Sequence, residues 1–334
     1  MKFGVTLLAD DLGKLGERAR LAEGIGFEYI GVADSQSLFR ELYVSLAVVA
    51  QATNHARIGP TVTNPLTRHP AVTSSAIASI DELSHGRAFL GIGSGDSAVL
   101  NLNLRPARMS QVKEYVQAVR THLSGDSYSY QGRDTHVRRA DAPVPILMAA
   151  EGPRTLKLAG EIADAVLVHT GLTPDILRRS ISLIREGEAD AGKPVGSVEI
   201  WAFAKCNVAN DQETAIQEIK MALAASGHHA FRYTLEGKHV PEELHEAVAV
   251  LQRDYVPVEH EQLGHTRNAT LSDELGFTDF LADRFAVVGT PDQCREKVRG
   301  IPEAGVDVLL ATAIGPQPDV IIERFGREVA ALSG

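Results

Sequence analysis

Short β-branched apolar runs alternate with amphipathic stretches from the first residues onward. Lys2–Leu8 reads as a strand. Leu12–Ile25 reads as a helix with Leu15, Ala19, Ala22 and Ile25 on one face, and Gly26 stops it as a C-cap glycine does. Tyr29–Ala33, Arg57–Thr63 and Arg87–Gly91 repeat the strand pattern, with helices predicted over Leu42–Ala52 and Ala71–Leu83 between them and Met109–Leu123 after them. The alternation continues with strands at Val144–Met148, Ala165–His169, Ser197–Cys206 and Val306–Thr312. Helices are predicted at Arg154–Glu161, Asp175–Ala191, Asp211–Ala225 and from about Asp319 to Leu332. Tyr128, Tyr130 and Val137 flank Gln131-Gly132, which predicts a small hairpin inside Asp126–Val137.

Strand–helix alternation implies a parallel sheet with right-handed crossovers, either open and doubly wound or closed into a barrel. A tally of eight strands, each with its helix, selects the closed form. The expected fold is α/β, a (β/α)8 TIM barrel with insertions. Residues 226–285 interrupt the pattern: they are rich in His, Glu and Gly, contain Pro241 and Pro257, and hold only short helical pieces. Segments of this length in compact domains are commonly lids or binding loops, so this one is expected to sit over the site. The 334 residues are read as one barrel domain, 1–334, with 226–285 as its largest insertion.

Composition narrows the field. The chain is 44% hydrophobic and 23% charged, ordinary for a globular protein. Its net charge of −10 argues against nucleic acid, which requires a basic surface. Cys206 and Cys294 are the only cysteines, too few for a disulfide framework and consistent with a reducing cytoplasm. No signal-peptide pattern and no run of 18 apolar residues are visible, so no membrane association is expected.

In such barrels the site lies at the carboxyl ends of the strands. The segments there are Ala33-Asp34-Ser35-Gln36-Ser37, Thr61–Pro65 running on to Arg68-His69-Pro70, Gly91–Asp96, Ala149–Pro153 and His169-Thr170-Gly171. Gly91, Gly93 and Gly95 allow close backbone approach, and Ala149–Gly152 precedes a helix whose amino end suits an anion. Neither segment makes a GxGxxG fingerprint or a GxxxxGK[ST] P-loop. Metal-dependent hydrolysis lacks ligands: Ala9-Asp10-Asp11 stands where a barrel hydrolase carries His-x-His, and His228-His229 is expected in a solvated loop. There is no GxSxG elbow, and Cys206 has no assignable histidine.

Taken together, Thr61–Pro65 with Arg68–Pro70, Ile80-Asp81-Glu82-Leu83-Ser84-His85-Gly86-Arg87, Leu90–Asp96, Met148–Pro153 with Leu158–Asp164, and Phe285–Pro291 resemble the bacterial luciferase-like superfamily, and within it the methylenetetrahydromethanopterin reductase group. The resemblance spans nearly the whole chain. It implies an oxidoreductase that binds FMN or coenzyme F-420 over the barrel mouth, with no metal. It also implies a non-prolyl cis peptide near Thr61-Val62. Asp34, Thr63, Gly93, Ser94, Gly95 and Asp96 would line the cofactor, and the backbone of Ala149, Ala150, Glu151 and Gly152 would hold its phosphate. Because the cofactor supplies the hard chemistry, the protein orients ring and substrate.

Two positions depart from the reductase pattern: Thr6 replaces an acid in the first strand, and Ser35 follows Asp34 where a histidine is usual. A histidine there can act as acid or base; Ser35 cannot, and is left as a substrate contact. These losses favour a reduced-FMN monooxygenase on a small organic substrate, served by a separate flavin reductase, over an F-420-dependent reductase or a flavin-binding protein without turnover. Asp96, His169 and Asp34 are the expected catalytic residues, and Arg68 the expected partner of an anionic substrate group. His69 is read as a capping residue beside Pro70. A homodimer packing early helices is implied by the same resemblance.

Overall fold

The computed structural model describes residues 1–138, 140 and 142–332. It opens with β1 (Lys2–Leu7), α1 (Leu12–Ile25), β2 (Tyr29–Val32), α2 (Leu42–Ala52), β3 (Arg57–Pro60), α3 (Pro70–Leu83) and β4 (Leu90–Ile92). A short α4 (Ser97–Leu100), the long α5 (Met109–Leu123) and a hairpin of β5 (Tyr128–Tyr130) and β6 (Arg133–Thr135) follow. Next come β7 (Ile146–Ala150), α6 (Pro153–Ile162), β8 (Ala165–Val168), α7 (Pro174–Asp190), β9 (Glu199–Val208) and α8 (Gln212–Ala230). The interrupting region holds α9 (His245–Asp254), α10 (Arg267–Glu274) and α11 (Thr278–Phe285). The chain then runs through β10 (Ala286–Gly289), α12 (Pro291–Arg299), β11 (Val308–Ala313) and α13 (Pro318–Arg324). None of these helices is long and apolar enough to cross a membrane.

Local chemistry sets the helix boundaries. Asp11 caps α1 by accepting from the Gly13 and Lys14 amides, and Gly26 ends it in the left-handed region at φ 109°. His69 caps α3 through Nδ1, which accepts from the Ala71 amide at 3.2 Å, with Pro70 in the first turn. Thr290 and Gln293 form a reciprocal capping box on α12.

The parallel strands run in the order β3-β2-β1-β11-β9-β8-β7-β4. Isolated bridges Ile58–Ala88 and Thr63–Ile92 join the two ends, so the sheet closes into a barrel. The seam carries the bonds Thr63 N–H to Gly91 O, 3.0 Å, and Gly93 N–H to Thr63 O, 2.9 Å. One strand lies beyond the eight that the sequence pattern predicts: β10 pairs in parallel with the carboxyl-terminal stretch of β9, from Ala286–Lys205 to Gly289–Val208, past the end of the β8 pairing.

The core has three parts. The largest fills the space between barrel and helices. A second, built on Tyr29, Phe89, Leu147, Leu167, Trp201 and Leu310, plugs the amino-terminal end of the barrel. Trp201 is its centre, 4.4 Å from Tyr29 and 5.4 Å from Phe89 between ring centroids. That plug leaves the carboxyl ends of the strands as the open end. The third cluster joins α8 to α9, α10 and α11 around Phe231, Leu251, Phe277 and Phe285.

Helices α6 and α7 cross unusually closely. A Cβ placed on Gly160 would collide with the Ile184 carbonyl oxygen, and one on Gly187 with the Lys157 carbonyl oxygen. The two glycines thus bring backbone against backbone, nearer than side-chain packing permits.

Candidate active site

The open end of the barrel holds a cleft of ≈ 1290 Å³, part of it open to solvent. The Thr61–Val62 peptide in its lining is cis, at the place the family resemblance implies. Thr61 Oγ1 lies 3.0 Å from Thr6 Oγ1, so Thr6 supports this segment rather than carrying charge. Gly93, Ser94, Gly95, Ala149, Ala150 and Val62 make a wall of small and apolar groups. Four buried polar atoms on the cleft lining lack a hydrogen-bond partner: His229 Nδ1, which faces the Asp96 carboxylate, and Thr312 Oγ1, Ser226 Oγ and His169 Nε2, which face no charged group with those atoms. Buried polar groups are normally paired, so the latter three mark where a polar-edged ligand belongs.

Asp34 lines the cleft with its side chain only 2% exposed. It accepts from Thr63 Oγ1 at 2.6 Å and from both terminal nitrogens of Arg68, at 2.7 and 3.3 Å. Arg68 also reaches Glu41 Oε1 at 2.9 Å. Burial would lower the Arg68 pKa, but Asp34 and Glu41 together raise it. Arg68 is therefore spent on two carboxylates and stays off the cleft lining, unlike the anion contact expected of it. Ser35 is buried and accepts from Ser97 Oγ at 3.0 Å.

The backbone of the β7–α6 turn also differs from expectation. The Glu151 and Gly152 amides both point at Thr155 Oγ1, at 3.4 and 3.0 Å. These two donors are already partnered, and Gly152 serves as the N-cap of α6 outside the lining.

The opposite wall is a buried charge network. Glu151 Oε1 meets His169 Nδ1 at 3.3 Å and is in close contact with His229 Nε2. His229 Nδ1 lies 3.3 Å from Asp96 Oδ2, and Arg232 holds Asp96 Oδ1 at 3.2 Å. Tyr255 Oη lies 2.7 Å from His260 Nδ1, and Lys205 pairs closely with Glu261 beside it. Burial alone would raise the Asp96 carboxyl, yet His229 and Arg232 pull it well below the ordinary range. Glu151 is likewise lowered: His229 and His169 outweigh its burial. For His229, burial and Arg232 oppose the charged form, but Glu151 and Asp96 prevail and raise its pKa. His169 goes the other way, because burial outweighs its single carboxylate.

Asp96, His169 and Asp34 thus stand on one cleft, as do Thr61, Val62, Thr63, Gly93, Ser94, Gly95, Ala149, Ala150 and Glu151. Sequence reasoning missed His229, His260, Lys205, Glu261 and Arg232. The expectation of a solvated His228-His229 loop is corrected: α8 continues through both residues to Ala230, burying His228 against the Tyr255 ring at 4.1 Å. The apolar spacing of Ala222, Leu223, Ala225 and Ala230 is the signal the sequence offers. Glu151, His169 and His229 bring ligand-type atoms within 4.8 Å of one another, and their mutual ion pairs account for that proximity.

A family model described as luciferase-like monooxygenase matches residues 1–308. The 5,10-methylenetetrahydromethanopterin reductase of Methanopyrus kandleri is 29% identical over 356 residues, 98% of this chain and 97% of that one. The enzyme of the same name from Archaeoglobus fulgidus is 30% identical, covering 98% of each chain. The solved structure of the coenzyme F-420-dependent tetrahydromethanopterin reductase from Methanopyrus kandleri superposes with a TM-score of 0.79 at 26% identity, over 100% of this chain and 99% of that chain. These full-length matches overturn the preference for an FMN monooxygenase. That preference weighed Thr6 and Ser35 as losses, whereas similarity to the reductases runs the whole length of the chain with both residues in place.

Proposed function

This chain belongs to the luciferase-like monooxygenase family, and on that premise we propose that it is a coenzyme F-420-dependent oxidoreductase acting on a small organic substrate, in the manner of the methylenetetrahydromethanopterin reductases. The observation that carries the reading is the cleft itself: a wall of small residues faces a proton-handling cluster, and Thr312 Oγ1, Ser226 Oγ and His169 Nε2 stand without protein partners. Such a site fits a flat ring with a polar edge. When bound, the coenzyme supplies hydride transfer. Thr61, Val62, Thr63, Gly93, Ser94 and Gly95 would hold it.

The remaining work falls to this chain's own side chains. His169, neutral by burial, donates from Nδ1 to Glu151 and keeps the Nε2 lone pair free to take a proton from a substrate hydroxyl or amine. In the reverse direction the protonated His169 returns that proton from Nε2, while His229, its pKa raised between Glu151 and Asp96, balances the two carboxylates. Both histidines lie at positions unrelated to Ser35, so the absence of a histidine after Asp34 leaves the site with a proton carrier. Asp34 fixes the Thr63 hydroxyl and the Arg68 guanidinium. The 226–285 region acts as the substrate-side wall through Ser226, His229, His260 and Glu261. A homodimer through α2 and α3 is supported by exposed Val44 and Val72.

Titration of the purified protein with F-420 and, separately, with FMN tests the reading by fluorescence and absorbance. F-420 is expected to bind with micromolar or tighter affinity, and FMN about tenfold or more weakly. Absence of F-420 binding at tens of micromolar overturns it.

A further inference from the structure

The ion pairs that draw Glu151, His169 and His229 together also arrange their ligand atoms as a chelate. Glu151 directly follows β7, His169 directly follows β8, and His229 lies in α8, so three separate elements deliver one ligand each. One ligand atom from each residue lies within 4.8 Å of the other two. Glu151 Oε1 stands 3.3 Å from His169 Nδ1 and in close contact with His229 Nε2. Ligands bonded at about 2.1 Å around a tetrahedral ion stand about 3.4 Å apart. The first pair is already at that spacing, and the second need only open slightly.

The surroundings complete such a site. His229 turns its other nitrogen, Nδ1, to Asp96 Oδ2 at 3.3 Å, and Arg232 Nη1 holds Asp96 Oδ1 at 3.2 Å. A carboxylate behind a ligating imidazole orients the ring and raises its basicity. Phe203 and Phe285 pack against the His169 ring at 5.0 and 5.2 Å between centroids, which fixes its plane. All three ligands line the open cleft, which supplies an entry path and room for a fourth ligand. Two imidazoles with one carboxylate suit zinc, cobalt or nickel, whereas magnesium and calcium take oxygen ligands.

We propose that Glu151, His169 and His229 bind one divalent transition ion of the zinc class, and that this ion switches the site off. A neutral imidazole carries one ring proton. His169 ligates through Nδ1 only with that proton on Nε2, so the lone pair that would accept the substrate proton is lost. The proton on His229 Nε2 leaves to solvent, and no bond to substrate forms or breaks. Ligation is independent of the coenzyme; the switching-off rests on the F-420-dependent reading, in which His169 is the base.

The test is titration of the full chain, without cofactor, with divalent cobalt, whose visible absorption reports coordination geometry. One ion per chain is expected to bind with about micromolar affinity, and zinc to displace it. Glu151→Gln and His229→Gln are each expected to weaken binding about tenfold or more, and Asp96→Asn, which leaves the three ligands in place, about tenfold. His55→Gln, in the exposed turn between α2 and β3, leaves it unchanged. Where a ligand variant does not fold, Asp96→Asn carries the comparison. Absence of saturable cobalt binding at tens of micromolar, native affinity in the folded variants, or an equal loss in His55→Gln each overturns the proposal. Zinc is also expected to abolish F-420-dependent turnover, with EDTA restoring it; saturable cobalt binding with turnover unchanged by zinc overturns the switch. Failure of F-420 to bind while the cobalt absorption persists counts against the functional reading and leaves the chelate standing.

Discussion

Gly91 and Gly93 lie two residues apart at the end of β4, yet the structure assigns them opposite sensitivities. A Cβ on Gly91 would run into the Pro60 carbonyl oxygen, with Val62 Cγ1 at 3.1 Å on its other side. Relief requires β4 to move roughly 1 Å away from β3, since carbon and oxygen cannot approach much inside their contact distance. That movement falls on the seam, where Gly91 O accepts from Thr63 N–H and Gly93 N–H donates to Thr63 O. Overpacking costs about 1–3 kcal/mol, and two weakened backbone bonds add about 1 kcal/mol each. Gly91→Ala is therefore expected to lose about 3–5 kcal/mol. At Gly93 a Cβ would meet only side-chain atoms, Val62 Cγ2 at 3.1 Å and Ala149 Cβ at 3.5 Å. Gly93→Ala should cost less than about 1 kcal/mol, and Gly93→Val should fold but lose about tenfold or more in F-420 affinity, because its methyls occupy the cleft. Urea unfolding followed by circular dichroism gives the first pair of values, and fluorescence titration gives the third. Equal stabilities for the two alanine variants would refute the seam argument. Unchanged F-420 affinity in a folded Gly93→Val would place the cofactor elsewhere.

Two further perturbations probe the buried charges. Arg68→Met leaves the Asp34 carboxylate with only the Thr63 hydroxyl, so a loss of about 3–5 kcal/mol is expected; Asp34→Leu combined with Arg68→Met should recover much of it, and additive losses in urea unfolding would contradict the pairing. His228 is buried neutral, with its pKa pushed down to about 4 by desolvation. The unfolded chain binds a proton near pH 6.5, so its contribution is complete above that value and is lost as pH falls from 6.5 to 4, by about 3 kcal/mol. His228→Phe retains the ring beside Tyr255 and should flatten that part of the stability profile; parallel pH curves for the two proteins would count against it.

The barrel was legible because its strands are short β-branched runs punctuated by glycines and caps. Lys2–Leu7 and Ala165–Val168 sit within one or two residues of their predicted limits. The cis peptide and the glycine wall came from motif resemblance, which encodes local backbone shape. The charge network was not legible. Asp96, Glu151, His229 and His260 come from four separate segments, and only tertiary packing brings them together. His228-His229 was misplaced for a related reason: polar histidines at the end of an apolar helix look solvated until α9, α10 and α11 cover them. Local pattern also overrated Ser35. A missing histidine at one position says little when histidines from the interrupting region reach the same cleft.

The glycine crossing of α6 and α7 has a mechanical corollary. Glu151 immediately precedes α6, and His169 lies shortly before α7. With the two helices in backbone contact through Gly160 and Gly187, neither turn is free to drift without dragging the other. The barrel half of the site therefore behaves as a fixed gauge, set by main-chain thickness. The half built from α8 and the 255–266 loop meets it only through side chains, like an adjustable jaw. Substrate preference is then expected to diversify by substitutions in that jaw, while the spacing of Glu151 and His169 stays constant across every variant so produced.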